Sequence, residues 1–315
     1  MKDLRIVFMG TPEFAVASLD ALCMAGANVV GVITSPDKPS GRGRKLNSSA
    51  VKKYAVTNDL PLLQPTNLKD PQFLAELKAL QPDVQVVVAF RMLPEVVWGL
   101  PSKGTFNLHG SLLPQYRGAA PIHWAVINGE KNTGVTTFFI DHKIDTGDII
   151  DSAKIEISET ATTGDIHDRL MELGAALVVK TVKAIADGTV KTVPQSKELH
   201  YSPAPKLNQD NTRIDWSLPL IHIYNKVRGL NPFPGAWAEL LNGDEPQAVK
   251  ILSVGMRPDS HDLETGTIIT TKKEILVATP EGFIQVLEIK VPGKRLMDAK
   301  SLLNGFSFVK NAQFM

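Results

Sequence analysis

Asn107 and His109 stand two positions apart in TFNLHGSLLPQYRG, residues 105–118, at the end of an apolar segment. In an extended strand, residues i and i+2 project to one face, so the carboxamide and the imidazole point together while Phe106 and Leu108 point the other way. A carboxamide N–H aimed at a developing oxyanion is worth ~10²-fold or more in rate. The imidazole beside it can carry a proton. The pair suits attack by a nucleophile on a carbonyl. No covalent enzyme nucleophile accompanies it, because GxSxG is absent and the single cysteine, Cys23, falls in a helical pattern.

A carboxylate able to orient the imidazole comes from IDHKIDTGDII, residues 140–150, where Asp141, Asp145 and Asp148 crowd one loop after the strand pattern VTTFFI. Any of the three could reach the ring across adjacent strand ends, and an opposite charge there favours the protonated imidazole. Two blander readings compete. An Asn-x-His pair near a sheet end can be a satisfied polar pair without chemistry. A metal site of His109, His142 and Asp145 lacks HExxH or comparable ligand spacing, so no metal is expected.

The elements that must hold these groups alternate. LRIVFMG (4–10), NVVGVIT (28–34) and VQVVVAF (84–90) are β-branched runs of the kind that form parallel strands buried on both faces. Between them, FAVASLDALCMAG and FLAELKALQ read as helices. Such alternation predicts an α/β fold with a doubly wound, mostly parallel sheet whose ligands lie beyond the carboxyl ends of the strands. FNLHG is a further strand, and its carboxyl end carries Asn107 and His109. MGTPEF ends the first strand with one glycine; GxGxxG is absent, which leaves an ordinary turn and a substrate contact equally open.

The helix 164–188 closes this part, giving a first domain over residues 1–189. Residues 190–207, rich in proline and polar residues, read as a linker. Beyond one more helix, the short strand patterns AVKILSV, GTIITT, EILVAT and FIQVLEI predict a smaller, open OB-like β-barrel within residues 208–315.

A net charge of +1 excludes nothing by itself, so charge must be read locally. SPDKPSGRGRKLNSSAVKK, residues 35–53, carries six basic residues from Lys38 to Lys53 and no acid in that span. A basic run is usually a solvated face. This one follows the second parallel strand and so hangs over the crevice, where a flexible cationic loop bearing Lys38, Arg42, Arg44 and Lys45 could grip a phosphate backbone. One cysteine precludes an internal disulfide and suits a reducing cytoplasm, and no run long enough for a membrane span or a signal peptide core is found.

FNLHGSLLPQYRGAAPIHWAVINGE with GVTTFFIDHKIDTGDII resembles the signature of the 10-formyltetrahydrofolate-dependent formyltransferases. The likeness runs over nearly the whole chain, through FMGTPEFAV, SPDKPSGRGRK, RIDWS and LNPFPGAW, to the branch that formylates methionyl initiator tRNA. It implies a Rossmann-like catalytic domain and an OB-like carboxyl-terminal domain that binds tRNA. It implies 10-formyltetrahydrofolate as formyl donor, Asn107, His109 and Asp145 as the catalytic trio, and Ser111, Leu112, Leu113 and Pro114 as the folate-contacting turn. Methionyl tRNA and folate are the expected partners, with neither membrane nor obligate protein partner. Within the same chemistry, glycinamide ribonucleotide formyltransferases would need a glycine-rich phosphate loop after the first strand. An aminosugar formyltransferase remains a rival, although a nucleotide sugar has little use for the basic segment, and a noncatalytic RNA-binding protein leaves the Asn107, His109 and Asp145 set without a purpose. The chain departs from the family at VVVAFRMLPEVV, which is shorter than usual and introduces Arg91, leaving the course from Phe90 to Pro94 undetermined by the likeness.

Overall fold

The computed structural model describes residues 1–40, 45–196 and 201–315, with Ser40 and Lys45 described by backbone alone. Of the basic residues singled out above, Lys38 is exposed, Lys45 is known by its backbone, and Arg42 and Arg44 lie outside the described residues. Two compact units emerge. The first gathers Met1–Pro121, Thr133–Ile155 and His167–Pro203; the second gathers Ile122–Asn132, Glu156–Ile166 and Ala204–Met315.

In chain order the first half forms β1 (Ile6–Gly10), α1 (Glu13–Met24), β2 (Val29–Ile33), β3 (Lys38–Ser40), β4 (Lys45–Asn47), α2 (Ala50–Thr57), β5 (Leu62–Leu63), α3 (Pro71–Ala79), β6 (Val84–Val88), α4 (Glu95–Trp98), β7 (Thr105–His109), α5 (Pro121–Ile127), β8 (Asn132–Phe139), β9 (Ile149–Glu156) and α6 (Thr163–Ala186). Its main sheet runs β5-β2-β1-β6-β7-β8-β9. Strands β5, β2, β1, β6 and β7 pair in parallel, and β8 turns antiparallel to β7. Every residue of β1 and of β6 is buried, as central parallel strands flanked by helices require. The chain leaves β1 towards β2 and β5, then returns to β6 on the other side. That reversal puts the switch point of the strand order between β1 and β6, the place where open α/β sheets bind ligands.

Gly10 ends β1, and its role is packing. A Cβ there would lie 2.5 Å from Ala15 Cβ and 3.0 Å from the Val88 carbonyl oxygen, so the strand and α1 could not approach as they do. Gly10→Ala is expected to destabilise the chain by about 1–3 kcal/mol, the usual cost of overpacking. A denaturant midpoint equal to wild type would contradict this. On the far side of β7, α6 comes close at Gly174, where a Cβ would stand 2.7 Å from Leu108 Cδ2. The apolar face of β7 thus meets a helix and leaves the opposite face for Asn107 and His109.

Three features differ from the sequence expectation. The basic segment is paired: β3 and β4 form an antiparallel ribbon with Lys38 opposite Asn47 and Pro39 opposite Leu46. Strand β9 occupies residues that trail the aspartate loop; as a half-exposed edge strand it carries only a weak apolar signal. The stretch read as a linker is tied down in part, since Val193 and Ile149 exchange both backbone hydrogen bonds at 2.9 Å and residues up to Pro203 belong to the first unit.

The second unit contains α7 (Gln209–Thr212), α8 (Leu220–Gly229), β10 (Ala236–Leu241), β11 (Pro246–Pro258), β12 (Ile268–Thr270), β13 (Ile275–Thr279), β14 (Gly282–Lys290), β15 (Met297–Asp298), α9 (Ala299–Leu303) and β16 (Gln313–Phe314). Its strands run β12-β13-β14-β11-β10-β16, antiparallel throughout, and the Ile268 N–H to Ala312 carbonyl bond brings the two ends together. A nearly closed antiparallel barrel results. Trp216 stacks on Phe314 inside it, with Ile223 and Val227 of α8 buried in the same core. No helix among the described residues is long and apolar enough to cross a membrane.

Candidate active site

The β-pleat and one register set the site. Asn107 lies between Val87 of β6 and Phe138 of β8, half-buried, and no hydrogen bond to its carboxamide is found among the described residues. His109, two residues on, is 6 % exposed, and its ring meets Phe138 edge-on at 6.5 Å. Its Nε2 lies 2.8 Å from the Tyr116 carbonyl oxygen. A carbonyl only accepts, so that nitrogen carries the hydrogen and donates it. The other nitrogen, Nδ1, faces Asp145 Oδ2 at 3.8 Å.

Of the three aspartates that compete in the sequence, the fold brings one to the ring. Asp141 is occupied locally, accepting from the Thr146 hydroxyl at 2.7 Å and from the Lys143 N–H at 2.9 Å. Asp148 is exposed. Asp145 adopts φ +54°, a left-handed conformation that non-glycine residues occupy sparingly, and its Oδ2 accepts the Gly118 N–H at 2.9 Å. Gly147 makes the loop possible: a Cβ there would lie 1.7 Å from the Phe139 carbonyl oxygen.

The turn after His109 is pinned from within. Ser111 is fully buried and donates its hydroxyl to the Gln115 carbonyl at 2.6 Å; Thr136 donates to the Ser111 carbonyl at 2.7 Å and accepts the Leu113 N–H at 3.2 Å. The Leu113–Pro114 peptide is cis. Leu113 is buried too, so Leu112 and Pro114 are the half-buried side chains of this turn.

His142, considered above as a metal ligand with His109 and Asp145, is turned elsewhere. It is exposed, packs edge-on against Trp98 and stands 3.8 Å from Glu95 Oε2. Arg91, the residue that departs from the family pattern, donates to the Thr66 carbonyl at 2.9 Å and to the Pro65 carbonyl. These bonds tie the 90–94 course to the segment after β5, and partial burial lowers the affinity of the Arg91 guanidinium for its proton. In the basic segment, Lys52 forms a 2.6 Å ion pair with Asp37, whose carboxyl is held below its ordinary range by that bond and by Gln64. The acid lies one residue before the run counted in the sequence.

Sequence reasoning missed Tyr116, Gly118 and Gln195. Two of them act by backbone groups, which carry no side-chain signature, and Gln195 is 86 positions from His109.

Residues 4–182 match the family profile described as Formyl transferase, and residues 206–307 that described as Formyl transferase, C-terminal domain. The methionyl-tRNA formyltransferase of Flavobacterium johnsoniae is 53% identical over 313 residues, covering 99% of both chains. That of Flavobacterium psychrophilum is 54% identical over 309 residues, covering 98% of both. Among solved structures, the sugar 3N-formyl transferase WlaRD, determined with dTDP and 5-N-formyl-THF, superposes with a TM-score of 0.63 at 20% identity, covering 93% of this chain and 99% of that one. This last likeness is one of fold. With both of its halves matched and relatives of near-equal length at more than half identity, the chain belongs to the formyl transferase family.

Proposed function

We propose that this chain transfers the formyl group of 10-formyltetrahydrofolate to the α-amino group of methionyl initiator tRNA, giving formylmethionyl-tRNA for translation initiation. The reaction type rests on one observation: the half-buried Asn107 carboxamide, free of partners among the described residues, stands beside a histidine faced by a carboxylate. The acceptor follows the relatives at 53% and 54% identity, which are named for methionyl-tRNA. The sugar formyltransferase, at 20% identity, supports the fold and not the acceptor.

The unprotonated methionyl amine attacks the formyl carbon, forming a C–N bond as the carbonyl electron pair moves to oxygen. Asn107 Nδ2–H donates to that oxyanion. His109 joins it by exchanging the Tyr116 carbonyl for the oxyanion, a trade that favours the transition state because a charge-assisted hydrogen bond is about twice as strong as a neutral one. Asp145, facing Nδ1, orients the ring and with water relays the proton lost by the amine to the folate nitrogen, which departs as the oxyanion re-forms the carbonyl and the folate C–N bond breaks. Leu112 and Pro114 offer the folate an apolar edge, while buried Ser111 and Leu113 keep the turn in shape. Lys38, Arg42, Arg44 and Lys45 hold tRNA phosphates, and the barrel domain from residue 208 supplies further tRNA contact. A cytoplasmic location suits a chain acting on these two substrates.

The test is turnover of 10-formyltetrahydrofolate with charged initiator tRNA, with a nucleotide aminosugar, and with no acceptor. Formylation is expected with the tRNA alone; equal turnover with the aminosugar rejects the acceptor.

A further inference from the structure

Gln195 lies outside every motif that draws attention to the site, in a proline-rich stretch that looks like linker, yet it is only 9 % exposed. Its Nε2 donates to the carbonyl oxygens of Asp145, at 3.0 Å, and of Gly147, at 2.8 Å. Its Oε1 accepts from Arg117 Nε at 3.1 Å and from an Arg117 terminal nitrogen at 2.6 Å. Chemistry permits only this orientation of the amide, since a guanidinium can only donate and a carbonyl can only accept. Arg117 is itself steadied over the Tyr201 ring, its Cζ 4.7 Å from the ring centre.

These bonds fall on the backbone that aims the catalytic carboxylate. Asp145 sits at φ +54°, a conformation that persists where its surroundings enforce it. The Gly118 N–H holds its side chain and Gln195 holds its carbonyl, and between those two anchors Oδ2 faces His109 Nδ1. We propose that Gln195 is a positioning residue for formyl transfer, acting through Asp145, with Arg117 fixing the direction of its amide. This rests on the function proposed above.

The informative variant is Gln195→Glu, which keeps an acceptor for Arg117 but turns an oxygen, not a donor, towards the two carbonyls. Misplacement of a reacting group by about 1 Å costs ~10²-fold, so kcat is expected to fall by about 10- to 100-fold. KM for 10-formyltetrahydrofolate and affinity for tRNA should stay at wild-type values, a split that general loss of structure would not produce. Because the effect passes through Asp145, the double variant with Asp145→Asn should be no slower than Asp145→Asn alone. Fully additive slowing, or wild-type kcat in Gln195→Glu, overturns the proposal while leaving the function intact. Wild-type kcat in Asp145→Asn removes Asp145 from the reaction and takes the proposal with it, and tRNA formylation by the wild-type chain reports separately on the function. Should Gln195→Glu fail to fold, Arg117→Met decides: it leaves Gln195 in place, frees its amide to turn, and should lower kcat in the same direction; an unchanged kcat overturns the proposal.

Discussion

Alanine at Asn107 or at His109 is expected to lower the single-turnover rate constant for formyl transfer by about 10²- to 10⁴-fold, the range spanned by loss of an oxyanion donor or a proton-transfer group. Affinity for tRNA should remain close to wild type, because in the proposed mechanism both groups bear on charge that exists only in the transition state. Asn107→Ala is the cleaner of the two. Its carboxamide has no hydrogen-bond partner among the described residues, so truncation orphans no neighbour. His109→Ala removes the donor to the Tyr116 carbonyl and costs about 1–3 kcal/mol of stability as well, which a thermal midpoint measured beside the kinetics will separate. Asn107→Asp should be slower still, since it sets an anion where negative charge must form. Near-normal turnover in both alanine variants would reject the assignment.

The second large effect is expected on tRNA binding. Removing one cationic grip on a phosphate makes the plot of log affinity against log salt shallower by roughly 0.7 to 0.9, so Arg42→Ala combined with Arg44→Ala should reduce the slope by about 1.5 and weaken binding on the order of tenfold or more at 0.1 M salt. KM for 10-formyltetrahydrofolate should hold, because the turn proposed to contact folate, Ser111 to Pro114, is a separate part of the chain. Lys52 provides the control within the same run of positive charge. It is already neutralised by Asp37 at 2.6 Å, so Lys52→Ala should leave the salt slope nearly unchanged. A wild-type slope in the double arginine variant would make the segment a solvated surface.

Relations within a few residues were legible before the chain was folded. The pairing of Asn107 with His109 follows from the two-residue repeat of any strand, and the buried runs of β1 and β6 follow from their β-branched composition, because both depend only on local geometry and on apolar residues leaving water. The barrel strands showed for the same reason. The likeness to a formyltransferase family was legible too, since its motifs are contiguous.

Contacts between distant segments were not. Three aspartates in one loop are equivalent by composition; only folding consumes Asp141 in a local turn, exposes Asp148, and carries Asp145 to within 3.8 Å of His109. The ring nitrogen that bears hydrogen is chosen by a main-chain carbonyl, that of Tyr116, which no residue pattern announces. Gln195 is the extreme case: a proline-rich stretch without periodicity gives no reason to expect a buried amide, and its partners at 117, 145 and 147 lie 48 or more positions away. Local propensity is written in neighbouring residues, whereas a hydrogen bond across such a separation exists only after loop closure has brought donor and acceptor into one place, so that part of the site belongs to the tertiary structure alone.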